Sequence, residues 1–158
     1  MTAPQETITG AVFLDAPRDK LLQELYAYWD TLRGSRMMPS RADFDPTRIP
    51  KLLPHIIMYN VEAPGGPYVV RLVGEEVQRF VGRNTTGLPA GSIMKPQSAA
   101  IMMRIFDAVV SERAPKFRAG KAHWLEEKNY REFEACFLPL SSDGETVNII
   151  LGAVRFPL

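Results

Sequence analysis

Apolar positions along this chain switch between helical and alternating spacing, and the switches divide it into elements. Leu21, Leu22, Leu25, Tyr28, Trp29 and Leu32 recur three and four apart, which predicts an amphipathic helix from Ala16 to Arg33. Asp15 and Pro17 suit its start and Gly34 its C′ position. His55 to Glu62 and Tyr68 to Val73 read as strands joined by the turn Ala63-Pro64-Gly65-Gly66-Pro67. A short helix over Glu75 to Val81 turns Val77, Phe80 and Val81 inward, and irregular backbone follows from Gly82 to Gly91. A longer helix runs from Gln97 to Arg113 until Pro115 stops it. Its broad apolar face carries Ile101, Met102, Ile105, Phe106, Val109 and Val110.

Three further strands are predicted: Lys116 to Trp124, Tyr130 to Leu138 and Val147 to Phe156, with a polar turn near Glu126 to Asn129 and Asp143-Gly144 turning the last hairpin. The first and last of the five strands are apolar on both faces, so they belong side by side in the middle of a sheet. The middle strands carry more charge and belong nearer an edge. The expected fold is therefore α+β, a five-stranded antiparallel sheet with the helices between residues 75 and 113 on one face. The helix from Ala16 to Arg33 covers the other face, alone or within a dimer. Residues 1–14 are expected to be a flexible arm and residues 15–158 one domain.

The segment from Met38 to Met58 carries the most specific pattern. Arg41-Ala42-Asp43-Phe44-Asp45-Pro46 makes a turn in which Asp45 caps a helix starting at Pro46, where the missing N–H costs nothing. Ile49-Pro50-Lys51-Leu52-Leu53-Pro54-His55 follows as a Pro-punctuated helical turn. Arg41, Asp43, Asp45, Pro46, Pro50 and His55 together resemble the signature of a small proteobacterial branch of PAS domains. Leu72-Val73-Gly74 with Val77, Phe80, Gly82 and Gly87 is similar to the PAS stretch from second strand to first helices. Phe133, Phe137, Pro139-Leu140 and Asp143-Gly144 before an apolar strand are similar to the usual PAS ending. The resemblance spans residues 19 to 157. It implies signal sensing or signal-dependent interaction, often as a dimer, with output passed to another protein.

Composition narrows the chemistry. A net charge of +1 supplies no field for nucleic acid or an anionic membrane. One cysteine, Cys136, cannot close an internal disulfide, and it lies in a strand with no basic neighbour to activate it. No apolar run approaches the roughly 18 residues of a membrane span, and the first residues lack signal-peptide character, so a cytoplasmic location is expected. Where light-sensing flavin PAS domains, which the chain resembles at Gly82-Arg83-Asn84, continue with the adduct-forming cysteine, this chain has Thr85. The histidines available to haem are His55 and His123, neither in the long helix; a structural hydrogen bond is the expected use of His55. No cofactor, metal or catalytic residue is therefore expected. Asp43 and Asp45 make a poor cation site, and a cap and a pair with Arg41 or Arg36 explain them better.

Positive charge gathers between Arg33 and Lys51, and again at Arg113, Lys116, Arg118 and Lys121, the second group expected to pair across strands with Glu132 and Glu134. A small apolar pocket between long helix and sheet would use Met58, Tyr59, Arg71, Met102 and Phe106, with strand parity leaving open which of Met58 and Tyr59 points inward. Leu21, Leu25, Tyr28, Trp29 and Leu32 would form a dimer or partner surface. The expected role is a sensory or adaptor module with a possible small-molecule ligand, a homodimer and an unidentified signalling protein as partners. The alternatives are a ligand-free interaction module and a small enzyme using His55 with an Asp.

Overall fold

The computed structural model describes residues 12–121 and 132–156. Its six strands form one antiparallel sheet: β1 (Val12–Leu14), β2 (Ile56–Val61), β3 (Tyr68–Val73), β4 (Lys116–Lys121), β5 (Glu132–Leu140) and β6 (Ile149–Arg155), in the order β1-β4-β5-β6-β2-β3. The first and last of the expected five strands, β2 and β6, do lie side by side, Ile57 opposite Gly152 and Tyr59 opposite Ile150. The sixth strand comes from the expected arm, where Val12–Leu14 pairs with β4 as an edge. His123, Trp124 and the turn at Glu126 to Asn129 lie outside the described residues.

One expectation about the sheet is overturned. β5 is central, and it is buried from Phe133 to Leu140. Its charge misled because Glu134 is buried rather than solvated: its Oε2 accepts the backbone N–H groups of Arg18 (2.6 Å) and Asp19 (2.9 Å). The strand register matches the expected cross-strand pairing at one position. Lys116 bonds Glu112 at the end of the preceding helix at 2.7 Å, and Arg118 stands opposite Ala135. Lys121 alone is in register with one of the expected acids, Glu132.

Helix α1 (Lys20–Arg33) begins later than the sequence pattern suggests, because Asp19 rather than Asp15 is its cap. Asp19 Oδ2 accepts from Leu22 N at 3.1 Å, satisfying a backbone donor that the first turn leaves unpaired. Leu22, Leu25 and Trp29 are fully or almost fully buried, and Trp29 Nε1 donates to Pro139 O at 2.9 Å. The helix lies on the face of β5 that carries Glu134, Cys136 and Leu138. Its apolar stripe is thus largely consumed within the chain.

Two helices cover the opposite face. α2 (Glu75–Val81) starts at Gly74 and ends at Gly82. Gly74 packs so tightly that an added Cβ would sit 2.4 Å from Leu53 O. α3 (Pro96–Glu112) starts on a proline at its first position, where no N–H is needed, and stops at Arg113 in the left-handed conformation. Alternation along the strands sorts the core: Ile57, Tyr59, Phe133, Ala135, Phe137 and Val154 face α2 and α3, while Met58, Leu138 and Leu151 face α1.

Candidate functional site

Between the sheet and helices α2 and α3 the packing leaves a narrow apolar cavity. β2 supplies Ile57 and Tyr59 to its floor, β5 supplies Phe133, Ala135 and Phe137, and β6 supplies Val154. Val77 and Val81 of α2, Ile93 and Met94 of the preceding loop and Met102 of α3 close it above. About 30 Å³ is open to the centre of a water-sized sphere, enough to admit water. Unbranched Met94 and Met102 can repack at low cost, so the same walls can admit a larger guest.

One end of the cavity is sealed by rings. Phe106, fully buried, packs on Tyr59 with centroids 4.6 Å apart, on Tyr68 at 5.1 Å and on Phe137 at 5.4 Å. Tyr68 Oη donates to Asp107 of α3, tying the helix to edge strand β3. Burial pushes the Tyr59 phenol above its ordinary pKa. Tyr59 is thus a neutral member of the apolar wall.

A charge is buried beside Phe133. Arg118 is only 2% exposed, and it lies on the cavity face of β4 directly across from Ala135. Its guanidinium sits over the Phe133 ring, 5.4 Å from the centroid. Loss of solvation lowers its pKa to about 10.

The residues singled out from the sequence divide between places. Tyr59 and Met102 line the cavity and Phe106 backs it, whereas Met58 faces α1. Arg71 is exposed at a bulge in β3 and donates to Asn60 Oδ1 at 3.1 Å. Leu25 and Trp29 are core, while Leu21, Tyr28 and Leu32 are half-buried. Alternation in Glu132–Phe137 could have revealed Phe133 and Ala135. Arg118 was missed because a strand arginine among lysines suggests solvent.

The Met38 to Met58 segment is a structural joint. Arg36 donates to Asp43 Oδ2 at 2.9 Å, and Asp43 also accepts from Ser40 N at 2.8 Å. The Ser40 backbone donor, with Arg36 after it, holds the Asp43 carboxyl below its usual range. Asp45 caps the 3-10 turn Pro46–Arg48 through Thr47 N, and Tyr28 Oη accepts from Asp45 N. Arg41 is half-buried, Pro50 is exposed, and among the described residues neither has a side-chain bond to the cavity. His55 closes the segment. Arg155 donates to its Nε2 at 3.1 Å, so the ring is a neutral acceptor there. Burial, then the charge of Arg155, lowers its pKa. Cys136 is fully buried, with its thiol pushed up to about 12, and is chemically quiet. Among the described residues no cluster of His, Cys, Asp or Glu could hold a metal ion.

A sequence model described as a PAS domain matches residues 18–155. The chain belongs to the PAS-domain family. Solved structures agree on the fold. The PAS domain of Bordetella pertussis BvgS superposes with a TM-score of 0.52 at 15% identity, covering 85% of this chain and 87% of that one. A PAS domain from Colwellia psychrerythraea gives 0.51 at 12% identity, over 70% and 95%. No curated protein matches the sequence. The PAS fold is typical of sensory signalling modules, and here it comes without any described helix long and apolar enough to cross a membrane.

Proposed function

We propose that this PAS domain is a non-catalytic, cytoplasmic sensor whose cavity takes a small, mainly apolar molecule and whose output passes to a partner protein. One observation carries the reading: a void lined by apolar side chains, two of them methionines, with Tyr59 in its wall. Met102 and Tyr59 would contact the guest, Phe106 would set the depth of the site, and Met58 and Arg71 would take no part. Occupancy can alter the surface offered to a partner only through its difference in affinity for two states of the domain.

A second reading rests on the small size of the void, about 30 Å³. In that reading the core stays filled and the domain acts by interaction alone, as a homodimer or with a signalling protein. Since Leu25 and Trp29 are buried against the sheet, such contacts would use the exposed side of α1 or another surface.

Native mass spectrometry of the purified chain separates the two. The sensor reading expects a bound small mass that is lost in Ala135→Phe, a variant that fills the void from its floor. Protein of bare mass, with Ala135→Phe retaining partner or self-association, would leave interaction alone.

A further inference from the structure

The pattern of large and small side chains on β5 explains why the cavity exists. Phe133, Ala135 and Phe137 share one face of the strand, and Ala135 is the smallest side chain in the lining. Alternate residues on a strand stand about 7 Å apart, so the two phenylalanines are about 14 Å apart with one methyl group between them. Val154 stands directly across from Ala135 on β6 and borders the same gap, and Tyr59 adds a third ring from β2. No lining side chain is charged. The space open to the centre of a water-sized sphere is about 30 Å³. Taken as one compact volume, it grows to roughly 150 Å³ when the sphere's own radius is restored, the size of an apolar cavity that stays dry and accepts benzene.

Resting on the sensor reading above, we propose that the ligand is an uncharged molecule built on a single aromatic ring, seated over Ala135 between Phe133 and Phe137. The walls select this class by their chemistry. An ion of either sign would give up its hydration in exchange for ring faces and thioethers alone. Tyr59, Phe133 and Phe137 offer edge-to-face contacts that a saturated ring of equal size cannot return. Met94 and Met102 close the site from above, and a thioether sulfur packs favourably against a ring edge. The volume holds one ring, so a fused ring system or a nucleotide calls for wholesale opening. Ala135 sets the specificity, because its small side chain keeps the seat open.

The test uses the whole chain, refolded from urea where it carries a bound mass. Thermal melting is followed in sealed cells equilibrated with benzene or cyclohexane vapour at the same fraction of saturation, which cancels the difference in their escape from water. Affinity is read from the dependence of the shift on vapour activity. Benzoate and benzylammonium are added at the aqueous concentration that benzene reaches. Wild type is expected to bind benzene roughly threefold or more tightly than cyclohexane on this scale, with no shift from either ion. Ala135→Phe and the smaller replacement Ala135→Leu should respond to neither hydrocarbon. The wild-type comparisons need no variant to fold. Equal responses to benzene and cyclohexane, lost in the Ala135 variants, overturn the aromatic assignment and leave the apolar sensor pocket standing. A shift from either ion as large as that from benzene overturns the uncharged assignment. A benzene response that persists in an Ala135 variant with a cooperative melt overturns the seat over Ala135. Failure of both hydrocarbons to bind wild type overturns the assignment and the pocket together.

Discussion

Arg155 Nε lies 3.1 Å from Asp19 Oδ2, joining the last strand to the residue that caps the first helix. Asp19 thus answers two demands at once, the Leu22 N–H and the Arg155 guanidinium, and Arg155 in turn donates to His55. Both side chains are mostly shielded from solvent, so the pair is worth more than a surface ion pair. Asp19→Ala removes the cap, worth about 1 kcal/mol, and leaves a half-buried guanidinium short of its anion, for a total near 2–3 kcal/mol. Urea unfolding measures the loss. A double-mutant cycle with Arg155→Met should show a coupling of about 1 kcal/mol, and additive losses would mean the contact is incidental.

The apolar stripe of α1 is committed to this chain's own sheet. Leu25 is completely buried, and truncation to alanine should cost about 2–5 kcal/mol without changing the oligomeric state seen by sedimentation. Trp29→Phe keeps the ring contacts with Tyr26 and deletes the donor to Pro139 O. Leaving that carbonyl unmet should cost about 1–3 kcal/mol. A Leu25→Ala variant that stays as stable as wild type but dissociates would restore α1 as an interface.

Much of this fold was legible because period and parity are strong signals. The two-sided apolarity of Ile56–Tyr59 and Ile149–Val154 forced β2 and β6 together, and the structure places them so. Asp45 before Pro46 was readable as a cap because both residues act locally. Position in the sheet was less legible where charge is buried. Glu134 resembles a surface residue until the helix N-terminus that it serves is brought from more than a hundred residues away. Arg118 hid for the same reason: its surroundings, Phe133 and Ala135, are set by strand register and not by chain neighbours. The cavity was guessed from methionines, which mark adaptable packing but not which of them line a void. Met102 does, and Met58 does not.

Gly74 has the tightest surroundings among the described glycines. Its N–H donates to Ile56 O at 2.6 Å, and a methyl group there would meet the carbonyl oxygens of Leu53 and Pro54 at 2.4 and 2.5 Å. Backbone cannot swing aside as a side-chain tip can. Gly74→Ala should therefore cost about 3 kcal/mol, the upper part of the range for overpacking. The same change at Gly91, whose nearest neighbours are side chains at 3.8 Å and beyond, should leave stability nearly unchanged. Thermal melting of the two variants checks the contrast, and similar losses would contradict it.

His55 gives stability a pH dependence whose sign is fixed by its surroundings. Burial first, and then the positive Arg155, lowers its pKa, and these outweigh the opposite pull of Glu76, Asp19 and the Val154 backbone. The unfolded chain therefore takes up the proton at a higher pH than the folded one does. Above about pH 6.5, the free imidazole value, both states are neutral and the domain keeps its full stability. As pH falls below that value stability declines, and the loss is complete once the folded-state pKa is passed. Protonation would also set a cation against the Arg155 guanidinium now bonded to Nε2. Asp43, Asp45 and Asp143 titrate lower, the last held to about 2 by backbone donors led by Thr146. Their contributions are present above about pH 4 and fade only below it, outside this window. The urea midpoint should fall between about pH 7.5 and pH 5, and His55→Gln, which keeps an acceptor for Arg155, should flatten that fall. An equal slope in the variant would show that another group controls it.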